Sequence, residues 1–443
     1  MRSRTPGRGT RAARAVPDAR QPAGGRVLPA LAAAGALPVL ALLALGTLAG
    51  CGSGPSGPPA VDLYNAPQEH MAQIVRRCND AARGAYRIRL NTLPRGADDQ
   101  REQLVRRLAA GDHGLDVLGL DVTWTAELAE AGWIREWTGA HAAEARRGTL
   151  AAPLGTATWR GRLFAAPYNT NVQLLWYRSD LIPHPPRTWS GLMAESARLA
   201  RAGEPFYGEV TGAQYEGLVV WFNSLVASAG GTILTPDGEH VALGPSALAA
   251  LKVMRDFSRS KAADPSMSNT KEDDARLAVE AGRGAYEVNW PFVYASMTSN
   301  RPKLARHFRW APYPGLNGPG RSPLGGANFA VSRYSRHPDA AFRAALCLRD
   351  PESQRVAAVE DGLPPTIGTV YDAPGMDRAY PMRQTIRDAL RTAAPRPMTP
   401  TYQNVSTVTA VTLSPPRSID PPRTLGTLRS LIGDALESQG VLP

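Results

Sequence analysis

An α/β fold is predicted by three observations. Helical and extended patterns alternate from Val61 onward, one segment is a continuous apolar run of the kind parallel sheets bury on both faces, and Gly/Pro/Asn clusters punctuate the segments. The chain has 443 residues, of which 43% are apolar and 20% charged, enough to bury a large core and to fill two or three domains.

The elements follow in order. Over Gln68 to Ala82 the apolar positions Met71, Ile74, Val75, Cys78 and Ala82 lie on one face of a helix that begins after Asn65-Ala66-Pro67. Extended Tyr86 to Leu90 comes next, then an amphipathic helix around Leu104, Val105 and Leu108 closed by Gly111. The run Leu115-Asp116-Val117-Leu118-Gly119-Leu120 is the buried parallel strand, which completes a β-α-β-α-β start. A hairpin is expected over Thr156 to Ala166 around Arg160-Gly161, and a strand over Val172 to Tyr177. Helices are expected from Thr188 to Gly203, over Gly217–Ala229, Ser246–Ser258 and Thr270–Ala281, and finally over Thr424–Gln439. Ala285 to Asn289 reads as a strand that stops at Trp290-Pro291. No internal repeat is visible.

The net charge of +11 is concentrated at the start. Residues 1–50 hold seven Arg and a single acid, Asp18, and so carry +6 of it. Only four of the 50 basic residues are Lys, so Arg is used generically and its abundance does not signal nucleic acid. The Arg-rich start and the apolar run Val27 to Leu48 end on Leu48-Ala49-Gly50-Cys51, a secretion-leader layout that matches the bacterial lipobox. By that resemblance residues 1–50 are a lipoprotein signal peptide, and Cys51 carries a palmitate-type lipid that anchors the mature chain to the outer face of the cell membrane. Pro29, Pro38 and the glycines of the run oppose the competing reading of a membrane-spanning helix. Residues 51–60, rich in Gly, Ser and Pro, then read as a flexible tether. Cys78 and Cys347 are the only other cysteines, and the spacing leaves open a disulfide or two buried thiols.

Neither a metal site nor a cofactor is expected. The seven histidines are scattered, and no Gly-x-Ser-x-Gly elbow, phosphate loop or dinucleotide fingerprint occurs. What stands out is a set of planar polar residues and tryptophans at predicted strand ends: Asp121 before Trp124, Asn169 and Asn171 about Thr170, and Trp290 after Asn289. In open parallel sheets ligands collect at the carboxyl ends of strands. A sugar calls for this mixture. Its hydroxyls need carboxylate, amide and guanidinium partners worth about 1 kcal/mol each, and micromolar binding needs about 8 kcal/mol, so an aromatic plate for the C–H face of the ring is required as well.

The residues Ala165-Ala-Pro-Tyr-Asn-Thr-Asn-Val-Gln-Leu-Leu-Trp-Tyr-Arg-Ser-Asp180 with Pro185-Pro186-Arg-Thr-Trp189, Ala281-Gly-Arg-Gly-Ala-Tyr-Glu-Val-Asn-Trp-Pro291 and Leu324-Gly-Gly-Ala-Asn-Phe-Ala-Val331 resemble three signatures of extracellular solute-binding proteins of the maltose-binding class. The resemblance spans residues 61–443. Leu120 to Trp133, Glu216 to Asn223 and Arg396 to Tyr402 are most similar to the actinobacterial trehalose-binding lipoproteins of sugar ABC importers. The resemblance implies a two-lobed periplasmic-binding-protein-like (type II) fold with a hinge and a central ligand cleft. Residues 61–168 plus 291–345 would form the first lobe and 169–290 plus 346–443 the second. It further implies Asp121, with Asn65 or Glu69, as hydroxyl partners on the first lobe. Asn171 and Glu216 would come from the second, with Trp290 as the stacking plate, Gly326 in the cleft wall and Arg396 reaching in from the late segment. The partners implied are a disaccharide and the permease subunits of an ABC importer, with no nucleic acid and a monomeric receptor.

Each of these residues also has a plainer role: Asp121 as a helix cap, Glu216 in a helix first turn, Trp290 in the core and Asn171 in turn chemistry. The competing functions are a secreted glycoside hydrolase with an acidic pair at the cleft and a surface interaction protein with no small ligand.

Overall fold

Among the described residues there are eleven strands: β1 Ala60–Asn65, β2 Arg87–Thr92, β3 Val117–Asp121, β4 Thr158–Trp159, β5 Arg162–Leu163, β6 Ala166–Val172, β7 Leu174–Arg178, β8 Tyr207–Glu209, β9 Gly284–Asn289, β10 Phe308–Ala311 and β11 Leu324–Val331. They come from a computed structural model that describes residues 57–438. The leader over 1–50, Cys51 and the tether as far as residue 56 lie outside the described residues. Among the described residues no helix is long and apolar enough to cross a membrane.

The first sheet has the order β2-β1-β3-β11-β6. β1 is parallel to both β2 and β3, and β11 is antiparallel to β3 and β6. The helices Met71–Ala81 and Ala97–Ala109 make the crossovers between the parallel strands, and the first buries Met71, Ile74, Val75 and Cys78, the face its periodicity predicts. The second sheet has the order β10-β7-β9-β8, with β7 antiparallel to β10 and β9, and β8 parallel to β9. The expected hairpin is the pair β4 and β5, whose turn residues Arg160 and Gly161 both have positive φ, as a two-residue turn of matching twist requires. The helix Trp189–Ala202 opens on Thr188, which accepts a hydrogen bond from the Gly191 N–H, and closes on left-handed Gly203.

The single strand expected over Val172 to Tyr177 is two. β6 starts earlier, at Ala166, and ends in the first sheet, whereas β7 starts at Leu174 in the second, so only Gln173 separates the two sheets. Two further passages of the chain run beside it. The Ser322 hydroxyl donates to the Gln173 carbonyl (2.7 Å), the Ala394 N–H to the Ser322 carbonyl (2.7 Å) and the Leu324 N–H to the Ala394 carbonyl (2.9 Å).

Each sheet has its own core. One is built from Val61, Leu63, Leu118, Leu120, Phe329 and Val331 with their covering helices, the other from Leu175, Trp189, Trp221, Phe257, Tyr286 and Leu428 with theirs. A third cluster, including Val172, Trp176, Phe308, Leu324, Tyr371 and Ile386, fills the region where the strands pass across. The segment boundaries drawn from the sequence need correction against these cores. β10 lies within 291–345 yet pairs with β7 in the second sheet, because an edge strand there covers Trp176 with Phe308. Helix Pro351–Asp361, placed with 346–443, contributes Val356 and Ala357 to the first core. Cys78 and Cys347, 269 residues apart in sequence, are joined as a disulfide with a Cα–Cα distance of 5.8 Å, the first of the two alternatives the spacing leaves open. It joins helix Met71–Ala81 to helix Pro338–Leu348 beside the first sheet.

Candidate functional site

A cleft of about 250 Å3 opens at the carboxyl ends of β1, β3 and β9. One wall is formed by Asn65 to Gln68, Asp121, Asn169, Asn171 and Gly325 to Ala327, all attached to the first sheet; Tyr215 to Gly217, Val220, Glu272, Trp290 and Arg396 line the rest. The structure thus brings together Asn65, Asp121, Asn171, Glu216, Trp290, Gly326 and Arg396; Asn171, expected from the second half, comes instead from β6 of the first sheet, where it pairs with Gly325 of β11. Glu69 is not among the lining residues and is exposed. The turn before helix Met71–Ala81 aims Gln68 inward instead, where its amide donates to the Tyr168 hydroxyl and to Asp361 (both 2.8 Å). Of the two alternatives at the amino end, Asn65 is therefore the residue at the cleft.

Arg396 is the electrostatic centre. Its guanidinium donates to Oε1 of Glu216 at 2.6 Å and to Oδ1 of Asp121 at 3.1 Å. Loss of hydration opposes the charge of this buried group, but Asp121 and Glu216 together hold its proton above the ordinary arginine range. Burial also pushes the Glu216 carboxyl up, against the pull of Arg396, Ser406 and Tyr402. Glu216 is saturated: the Tyr402 hydroxyl donates to Oε1 (2.6 Å) and the Ser406 hydroxyl to Oε2. Its position as the first residue of helix Glu216–Ser228 agrees with the dipole reading, and its partners make it the holder of Arg396.

Asp121 does not cap the helix Thr125–Glu130. Its Oδ1 accepts from the Thr123 N–H (3.0 Å) and hydroxyl (2.8 Å) in a tight turn, and from Arg396. Two buried polar atoms of the wall have no partner within the protein, Oδ1 of Asn171 and Nε of Arg396. Such buried atoms are costly to leave unpaired, and both belong to residues that line the cleft.

Trp290 is partly exposed. The edge of its ring lies over Gly325, so close that a Cβ there would sit 2.9 Å from Cη2. Behind it stands Glu272, the first residue of helix Glu272–Glu280, which accepts from the Tyr215 hydroxyl at 2.6 Å. Loss of hydration raises the Glu272 carboxyl, while Tyr215 and the Trp290 side chain act in the other direction.

Sequence reasoning missed Gln68, Tyr215 and Glu272 as wall residues, and noted Asn169 without assigning it to the cleft. Asn169 carried a usable signal, because period two puts residues 169 and 171 on one face of β6. Glu272 carried none, since Glu272-Asp273-Asp274 is an ordinary acidic first turn.

The sequence model of the bacterial extracellular solute-binding protein family matches residues 84–355. A protein of Deinococcus radiodurans described as an ABC transporter-binding protein is 30% identical over 340 residues, covering 72% of this chain and 79% of that relative. Among solved structures, maltose-bound MalE3 of T. maritima superposes with a TM-score of 0.77 at 26% identity, covering 84% of this chain and 98% of its own. The GacH receptor of Streptomyces glaucescens GLA.O, solved unliganded and with acarbose, superposes with a TM-score of 0.76 at 19% identity over 86% of this chain and all of its own, a likeness of fold.

Proposed function

Because the chain belongs to the family of bacterial extracellular solute-binding proteins, we propose that it is the sugar receptor of an ABC importer, capturing a disaccharide of the trehalose type in this cleft and delivering it unchanged to the permease. The observation that carries this reading is the pairing of a partly exposed indole with polar side chains in the lining of one cleft: Trp290 beside Gly325, with Asn65, Asp121, Asn171 and Arg396 around the same space. Trp290 stacks on the C–H face of one ring. Asn65, Asp121 and Asn171 take hydroxyls, and Arg396, fixed by Glu216, supplies the charge-assisted donor. The two halves close about the three adjacent passages at Gln173, Ser322 and Ala394. Lipid on Cys51 and the following tether hold the receptor at the outer face of the membrane.

Hydrolysis is disfavoured by the same geometry, since Glu216 has both oxygens occupied and Asp121 is paired with Arg396. Calorimetry with trehalose, maltose and sucrose tests the reading, followed by recovery of the sugar. Saturable binding of at least one, with the disaccharide returned intact, is expected. Flat traces for all three reject a disaccharide receptor, and release of monosaccharide rejects a receptor. Cys51→Ala is expected to abolish lipid labelling and release the protein into the medium.

A further inference from the structure

Glu209 and Glu287 are buried acids that no part of the proposed binding chemistry uses. They are register partners on the parallel strands β8 and β9. In that register Tyr286 packs over Gly208 on one face of the sheet, which puts Glu209 and Glu287 side by side on the other, about 5 Å apart along the hydrogen-bonding direction. Glu209 is 2% exposed and Glu287 0%, and Oε1 of each is buried with no partner.

Among the described residues no cation forms an ion pair with either. The charged groups facing the pair are Asp264 and Arg283 beside β8, and Arg276 and Glu280 on helix Glu272–Glu280. Arg283 is mostly exposed and 3.9 Å from Asp264, while Arg276 is engaged by Asp273, Glu280 and Ser296. From β7 the register partner of Glu287 is Trp176. Two carboxylates placed together in dry surroundings, with two more acids nearby, do not both ionise at neutral pH. Loss of hydration first, then the neighbouring acids, pushes each up to about 8.

The second observation is what Glu287 touches. Its Oε2 accepts from Nδ2 of Asn289 at 2.7 Å; that same nitrogen donates to the Glu272 carbonyl at 3.0 Å, and Oδ1 of Asn289 accepts the Trp290 N–H at 2.9 Å. Glu287 thus stands behind a side chain that ties the end of β9 to the main chain of Trp290 and to the start of the helix bearing Glu272. We propose that Glu287 is a positioning residue for Trp290, and that it keeps the cleft in its sugar-accepting form only while the Glu209–Glu287 pair holds a proton. The proposal rests on the reading of Trp290 as the ligand plate. Ionisation of both members places two repelling charges beneath β9, and separating them moves Asn289 and the plate it holds.

The sign follows from linkage. A carboxyl with a raised pKa keeps, in the folded protein, a proton that the unfolded chain has released. The pair's contribution to stability is therefore full below the ordinary carboxyl range and is lost as pH rises from there to about 8; sugar affinity, which needs the proton in the folded protein, holds up to about 8 and falls above it. Calorimetry of the full chain from pH 6 to 9.5 is the test. Wild-type affinity is expected to fall roughly tenfold per pH unit above the transition, the limit set by one required proton. In E287Q, which retains the acceptor for Asn289 and never ionises, the fall is absent; in E287L, which cannot accept, binding is weak at every pH. A flat wild-type profile, or an E287Q profile that follows the wild type, overturns the proposal.

A second readout needs no sugar. The difference in tryptophan emission between wild type and W290F is expected to titrate between about pH 7 and 9, and the titration to vanish in E287Q. Its persistence in E287Q overturns the proposal whether or not a sugar binds. If the titration behaves as expected and no sugar binds, the proton pair and its hold on Trp290 stand, and the sugar reading of the cleft is what has failed.

Discussion

At Gly325 an added Cβ would lie 2.9 Å from the Trp290 ring and 3.3 Å from Cβ of Asn171, whereas at Gly326, where φ is +124°, it would meet the carbonyl oxygen of Asn169 at 2.4 Å. The two neighbours therefore separate binding from folding. Gly325→Ala displaces a partly exposed ring and is expected to weaken sugar binding by about 1 to 3 kcal/mol, on the scale of losing one well-made contact, with thermal unfolding nearly unchanged. Gly326→Ala forces an L side chain into a glycine-only conformation against a neighbouring strand and is expected to cost about 1–3 kcal/mol of stability. Titration calorimetry and denaturant unfolding on both variants distinguish the outcomes. At this scale the sequence was most legible where a residue type has few alternatives. Trp290 and Asp121 were marked by their place at strand ends, and both line the cleft. Glu216 was marked too, but its task was hidden. That Tyr402, Ser406 and Arg396 consume its oxygens depends on a helix and the segment before it, nearly two hundred residues away in sequence.

At the scale of elements, periodicity located several helices to within a few residues where they bury one clear face, but it missed helices such as Pro338–Leu348, Pro351–Asp361 and Tyr402–Leu413. Helix Pro245–Arg259 buries Ala247, Ala250, Leu251, Met254 and Phe257, the pattern of one stripe at 3.6 residues per turn. Periodicity gave no way to see that Val172 and Leu174 belong to different sheets, since a strand passing straight across looks continuous in sequence. Nor could it pair Cys78 with Cys347, because that contact joins the first helix of the described chain to one that begins at Pro338. The disulfide closes a loop spanning most of the folded chain, so its removal chiefly enlarges the unfolded ensemble. The double variant Cys78→Ala, Cys347→Ala is expected to lose about 2–5 kcal/mol in urea unfolding. The cleft lies elsewhere, and its sugar affinity should be unaltered. A variant as stable as the wild type would show that the bridge does not form in the mature protein.

At the scale of the whole molecule, the two sheets and their cores are joined by three adjacent passages of chain and, across the cleft, by Arg396. That side chain links Asp121 at the end of β3 to Glu216 at the start of its helix. Side-chain exposure is 3% for Arg396, 11% for Glu216 and 25% for Asp121, so the Glu216 end is the deeply buried one and the Asp121 end faces the cleft. This asymmetry defines what a ligand exchanges. On the proposed sugar-receptor reading, arriving hydroxyls would compete for the Asp121 contact, while Glu216, Tyr402 and Ser406 keep the guanidinium in place. Arg396→Met is then a severe change, because it leaves the buried Glu216 carboxylate without its countercharge. A loss of about 3–5 kcal/mol is expected, together with loss of sugar binding. Asp121→Asn removes a charge at the solvated end only; it should cost little stability and weaken the sugar by about 1 to 3 kcal/mol. If the halves close on the ligand, wild-type protein at a hundredfold excess of sugar over Kd gains about 2.7 kcal/mol of stability and contracts in small-angle scattering. Asp121→Asn requires more sugar for the same contraction. A contraction that Asp121→Asn reaches at the wild-type sugar concentration would place the exchanged contact somewhere other than the Asp121–Arg396 pair.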